Sequence, residues 1–205
     1  ALIDNWWDTN IGHERMEQLI RYARSKKVDM FLWYSSSGYW NDIEQGPTNL
    51  MDNPIARKRE MKWLQSQGVK GIKVDFFGGD KQETMRLYEA ILSDADDHGL
   101  MVIFHGCTLP RGWERMYPNY AGSEAVLASE NLIFSQHACD NEAFNATLHP
   151  FIRNAVGCME LERIPEQTPE SWQTMVVLPV VQRIYSSWQT GCAFPRTLYK
   201  TFAIG

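Results

Sequence analysis

The sequence predicts an α/β fold, a (β/α)8 TIM barrel represented in part. Two observations lead there. Hydrophobic spacing along the chain switches repeatedly between the two-residue period of a strand and the 3.6-residue period of a helix, which implies parallel strands joined by helical crossovers. The unusual side chains, a lysine, a histidine, carboxylates and aromatics, fall where the strands end, the rim at which a barrel gathers its chemistry. An open doubly wound sheet is the competing architecture. It would carry a Gly-rich phosphate turn after its first strand, and TNIGHE at residues 9–14 is a poor version of one.

The elements follow in order. Ala1 to Trp7 is a short apolar run, a first strand, and Glu14 to Lys26 places Met16, Leu19, Ile20 and Ala23 on one helical face. Val28 to Tyr34 reads as the second strand; a polar loop runs through Asn53, and Pro54 opens a helix that lasts to Gln67 and stops at Gly68. Val69 to Phe77 is the third strand. Asp80 is placed to cap a helix whose Met85, Tyr88, Ile91, Leu92 and Ala95 share a face before Gly99. Leu100 to Phe104 forms the fourth strand. After a loop with Pro110, Gly112 and Pro118, Ala125 to Ala128 is read as a short fifth strand, Glu142 to Val156 as a helix, and Pro169 to about Thr190 as another.

Composition narrows the function. The chain has 205 residues, 44% hydrophobic and 22% charged, as a globular domain or a large part of one has. Twenty basic against 25 acidic side chains, with no basic cluster, argue against a nucleic-acid partner. No apolar run is long enough to cross a bilayer, which argues against a membrane partner. The first residues, ALIDNWWDTN, lack the regions of a signal peptide, so the expectation is a mature, cytosolic or internal segment. Cys107, Cys139, Cys158 and Cys192 are too widely spaced for a CxxC metal site and too few for a disulfide scaffold, and read as packing residues.

The strand ends carry Trp6, Trp7 and Asp8, then Trp33, Tyr34 and Ser35 to Ser37, then Lys73, Asp75 and Phe76, then His105, and finally Glu130. Aromatic faces stack on the apolar side of a pyranose, and Lys, His and Asp hydrogen-bond its hydroxyls, so the rim reads as a sugar site. Glycoside hydrolysis needs two carboxyl groups, one ionised and one protonated, and Asp75 with Glu130 fits that pair. Each residue also has a bland alternative. Asp75 and Lys73 fit a structural ion pair on one strand face, Glu124 and Glu130 fit solvated charges, and the tryptophans and His105 fit core positions.

Residues 68–131 carry more specific motifs: IKVDFF followed by D-x-Q, a strand ending in FHG, and R-x-YPN followed by two glutamates six apart. With LIDNWWDTNIG before them and TLHPFIRNAVGCM after, this segment resembles the catalytic barrel of glycoside hydrolase family 97, a set of α-glycosidases. The resemblance covers about the first 160 residues and fades after Glu160. Family members are longer, with a β-sandwich before the barrel and a β-domain after it, so residues 1–205 would be a single catalytic domain without those flanks.

The family has an inverting branch acting on α-glucosides and a retaining branch acting on α-galactosides. In the inverting branch, glutamates acting as base stand where this sequence has Ser35 to Ser37 and Gly106; Asp75 stands where the retaining branch carries its nucleophile. The resemblance therefore implies an α-galactosidase-like hydrolase that works with retention through a covalent glycosyl-enzyme, with Asp75 as nucleophile and Glu130 as acid/base. It implies Ca2+ as cofactor, with Glu124 and Glu130 as ligands, and Lys73, His105, Trp6, Trp7 and Asp8 as substrate-binding residues. Periplasmic or secreted placement is implied in the same way. Two other readings stay open: an inverting α-glucosidase, and a catalytically inert carbohydrate-binding barrel remnant.

Overall fold

The computed structural model describes residues 1–38, 43–127 and 135–159. The chain divides into two compact units, residues 1–123 and 124–205. The first holds a sheet of five parallel strands in sequential order: β1 (Leu2–Ile3), β2 (Phe31–Ser35), β3 (Gly71–Asp75), β4 (Met101–Phe104) and β5 (Tyr120–Ser123). Its helices are α1 (Trp7–Asn10), α2 (His13–Ser25), α3 (Pro54–Gln67) and α4 (Gln82–Asp97), with a 3-10 turn at Trp113–Arg115. The described part of the second unit contains α5 (Gln136–Ile152).

Local sequence explains most boundaries. The Asn53 side chain accepts from the N–H groups of Ile55 and Ala56, Pro54 occupies the first turn, and Gly68 closes α3 at φ 80°. Helix α4 turns Tyr88, Ile91, Leu92 and Ala95 inward. These meet Leu32, Tyr34, Ile72, Val74, Val102 and Phe104, the alternate residues of β2, β3 and β4, to form one core. Within it Phe77 stacks on Tyr88 at 3.9 Å, and Phe104, Trp113 and Tyr120 close around the pair.

Buried polar groups tie the layers. Arg57 on α3 pairs with Asp94 on α4 at 2.6 Å and donates to the Met51 carbonyl at 2.7 Å. Asn119, from the YPN motif, donates to the carbonyls of Leu92 and Leu100, fastening the end of α4 to the start of β4. Its work is structural.

The opposite sheet face is different in kind. It carries Phe31, Trp33 and Ser35 from β2 and Gly71, Lys73 and Asp75 from β3, all buried. Parallel sheets are covered on both faces, so a strand such as β3, buried along its whole length, still separates its side chains by parity. Gly71 is required there: a Cβ would lie 2.4 Å from the Phe31 ring and 2.6 Å from the Met101 carbonyl.

Four expectations shift. The first strand is cut to Leu2–Ile3 because Trp7 already belongs to α1. The N-cap of α4 is Lys81 and not Asp80, with no side-chain cap bond. The fifth strand is Tyr120–Ser123, ahead of the predicted Ala125 to Ala128. Helix α5 starts at Gln136, capped by the Ser135 hydroxyl on the Ala138 N–H. The helix expected from Pro169 to Thr190 lies outside the described residues.

Candidate active site

Asp75 is the last residue of β3 and is buried, 8% exposed. Both carboxylate oxygens are held. Trp33 Nε1 donates to Oδ2 at 3.1 Å, His105 Nδ1 lies 3.5 Å from the same oxygen, and the Phe76 N–H donates to Oδ1 at 2.6 Å. Burial on its own would push the Asp75 pKa up, but the bond and charge of His105 with the Trp33 and Phe76 donors outweigh it and keep the group below the ordinary aspartate value. Asp75 is thus a desolvated carboxylate that stays ionised.

The backbone around it is locked by continuation of the parallel ladder. Ser36 N–H donates to the Asp75 carbonyl at 2.8 Å, His105 N–H to Val74 at 2.8 Å and Phe77 N–H to Gly106 at 3.0 Å. Phe76 takes φ 63°, a left-handed conformation uncommon outside glycine, which turns its N–H back onto the preceding carboxylate. Such conformations recur just beyond the other strand ends, at Trp6 (φ 62°), Gly106 (φ 48°) and Ala125 (φ 43°).

Gly106 decides what else fits beside Asp75. A Cβ on Gly106 would stand 2.6 Å from Asp75 Oδ1 and 2.9 Å from the Phe76 nitrogen. The position one step after His105 is filled by the Asp75 carboxylate itself, leaving no room for a second side chain.

Lys73 is 3% exposed, and its Nζ reaches Asp4 Oδ2 at 3.4 Å. The ion pair weighed between Lys73 and Asp75 is therefore replaced: the lysine reaches across β2 to the end of β1, while the aspartate takes donors from β2 and β4. His105, expected to bind a hydroxyl, places Nδ1 against Asp75.

The other predicted residues separate. Trp7 is 1% exposed, its indole N–H donates to the Trp33 carbonyl at 2.8 Å, and its ring packs with Tyr34 and Trp63. Expected among the substrate-binding residues, it lies here in the core. Trp6 is half-buried, with its N–H on the Gly46 carbonyl. Asp8 packs its carboxylate against Gly46, where a Cβ would lie 2.7 Å from Oδ2. Glu130 lies outside the described residues. Glu124 is buried, and in its own unit its carbonyl accepts from Arg153 Nε at 3.0 Å.

Glu124 is the kind of oxygen donor that a calcium ion takes. Among the described residues no three His, Cys, Asp or Glu side chains converge to hold an ion. Those residues therefore do not complete a site of that kind. Among the described residues, no helix is long and apolar enough to cross a membrane.

Sequence reasoning missed three contributors. The sequence marks Trp33 as a rim aromatic and gives no sign that it is a hydrogen-bond donor. Asp4 was hidden because the first strand was drawn through to Trp7; ending it at Ile3 would have put Asp4 at the rim. The steric role of Gly106 carried no signal beyond its place after FH.

Comparison with known proteins places the chain in a family. Residues 7–126 match the family described as Glycoside hydrolase 97, and the chain belongs to that family. It is 32% identical over 154 residues to a probable retaining alpha-galactosidase of Streptomyces bingchenggensis, covering 75% of this chain and 21% of that protein. To a retaining alpha-galactosidase of Bacteroides thetaiotaomicron it is 29% identical over 168 residues, covering 78% and 23%. Among solved structures, a beta-arabinopyranosidase is 83% identical with a TM-score of 0.75, over 78% of this chain and 26% of that one. A family 97 enzyme of Pseudoalteromonas sp. strain K8, solved with acarbose, shares the fold at a TM-score of 0.57 and 16% identity, over 70% and 23%. The chain thus spans about a fifth to a quarter of the length of these relatives.

Proposed function

We propose that this chain is the nucleophile-bearing part of a (β/α)8 catalytic barrel in a retaining glycosidase. Its substrates would be glycosides with the ring stereochemistry of α-galactose. The observation that carries the reading is Asp75, a buried carboxylate held ionised at a strand end. An ionised carboxylate of this kind suits attack on an anomeric carbon. The crowding at Gly106 favours retention over inversion, because a base carried there would occupy the volume of Asp75.

In the proposed reaction an Asp75 oxygen bonds to the anomeric carbon as the bond to the leaving oxygen breaks, and Glu130 gives that oxygen its proton. Water then attacks the anomeric carbon, loses a proton to Glu130, and displaces Asp75 with the original configuration restored. Lys73, with Asp4 beside it, is the polar group at the end of the barrel best suited to a sugar hydroxyl. Kinship suggests periplasmic or secreted placement.

Two substrate classes follow from one geometry. β-L-Arabinopyranose has the ring and anomeric arrangement of α-D-galactopyranose, with hydrogen in place of the hydroxymethyl group. The curated relatives are alpha-galactosidases, and the 83% identical structure is a beta-arabinopyranosidase. The second likeness favours the arabinopyranoside as the better substrate. The test is proton NMR of the first-formed sugar from aryl α-D-galactoside and aryl β-L-arabinopyranoside, using the intact enzyme. Release of the anomer present in the substrate is expected. The opposite anomer appearing first would revive the inverting reading, and binding without turnover would support an inert remnant.

A further inference from the structure

We infer that Trp33 is a positioning residue for the nucleophile, its indole N–H fixing Asp75 Oδ2 from the neighbouring strand so that the carboxylate is aimed before substrate arrives. The inference rests on the reading of Asp75 as nucleophile.

The indole is itself well fixed. Trp33 is 1% exposed and sits opposite Lys73 in the β2–β3 register, two residues before the step where Ser35 faces Asp75. Its carbonyl accepts the Trp7 indole at 2.8 Å, and its ring meets the Phe76 ring edge-on at 5.7 Å. Phe76 supplies the N–H on the other carboxylate oxygen, so one packed unit controls both oxygens. Donors fixed before the reaction need no reorganisation during it.

Trp33 and His105 are not equivalent. Among the described residues, three groups meet the Asp75 carboxylate: the Trp33 indole from β2, His105 from the end of β4 and the Phe76 N–H. An imidazole changes its donors with its protonation state, whereas an indole N–H is a donor at every working pH. Lys73, on the same face, has Asp4 as its partner. Trp33 therefore gives Asp75 a pH-independent donor. It also helps the second half of the reaction, where Asp75 leaves as a carboxylate and any bond to the departing charge speeds its exit.

Replacing Trp33 with Phe keeps the ring and removes the donor. On an activated aryl glycoside, in the intact enzyme, kcat is expected to fall by roughly tenfold or more, since bonds to charged groups are the stronger ones. KM should fall with it, as the glycosyl-enzyme accumulates. The acid limb of kcat/KM should move up by about one pH unit, because the carboxylate has lost a donor. Trp63→Phe, which removes an indole bonded to Glu17, should leave that limb in place.

An unmoved limb with unchanged kcat in Trp33→Phe, or an equal movement in Trp63→Phe, would overturn the inference. A second measurement needs no Trp33 variant. In the wild-type enzyme labelled with 15N-tryptophan, one indole N–H resonance should follow the ionisation of Asp75 and cease to do so in Asp75→Asn. Identical titration of every indole in the two proteins would also overturn it. If Asp75→Asn keeps wild-type turnover, the nucleophile reading has failed; if it is inactive while Trp33→Phe behaves as wild type, only the role of Trp33 has.

Discussion

A carboxylate buried to 8% exposure is costly to keep charged, and Asp75 keeps its charge because three donors reach it from two strands and its own backbone. The same crowding makes Gly106 sensitive. Gly106→Ala would put a methyl group 2.6 Å from Oδ1 and 2.9 Å from the Phe76 nitrogen, at a φ of 48° that alanine also resists. Since the nitrogen is main chain, the carboxylate is what must move, and displacements of an ångström can cost about a hundredfold in rate. We expect kcat/KM to fall by at least roughly tenfold, with a stability loss of about 1–3 kcal/mol from the strained backbone. Wild-type kinetics in a folded Gly106→Ala protein would show that the contact is relieved elsewhere. At this scale the sequence was informative about identity and silent about partners. A charged residue closing an apolar strand singles out Asp75, but nothing in the order of residues says that its donor is an indole 42 positions away.

At the scale of elements, legibility tracked the strength of the local pattern. Helices α2 and α4 could be placed because their apolar residues repeat at helical spacing, with Gly99 after α4, and α3 because Pro54 and Gly68 mark its ends. Strands β2, β3 and β4 could be placed because they are apolar runs between such helices. Strand β5 could not, since its residues, Tyr-Ala-Gly-Ser, have little strand propensity while the following Ala-Val-Leu looks more suitable; pairing with β4, including a register shift at Val102, overrides propensity. The four-residue helix α1 is too short to show a period. The miss at the boundary of β1 and α1 bears on the site. Placing Trp7 in a helix moved it into the core, and extending strand β1 concealed Asp4.

For the whole molecule, five parallel strands in sequential order suit part of a barrel, and their shared C-terminal ends explain why Asp4, Ser35, Asp75 and His105 gather although up to 101 positions separate them. Calcium belongs to this scale, because the described residues do not complete a site for it. If Glu124 is one of its ligands in the intact enzyme, EGTA should lower turnover and added calcium restore it, with Glu124→Gln weakening the restoring affinity by about tenfold or more. Full activity after exhaustive chelation, with no metal found by elemental analysis, would remove calcium from the account. The nucleophile is tested most directly by chemical rescue. Asp75→Ala in the intact enzyme should lose nearly all hydrolysis of an activated aryl α-galactoside, and azide should restore aglycone release while forming the β-galactosyl azide, from the face that the carboxylate has vacated. A folded Asp75→Ala enzyme that retains turnover, or that gains nothing from azide, would contradict Asp75 as the nucleophile.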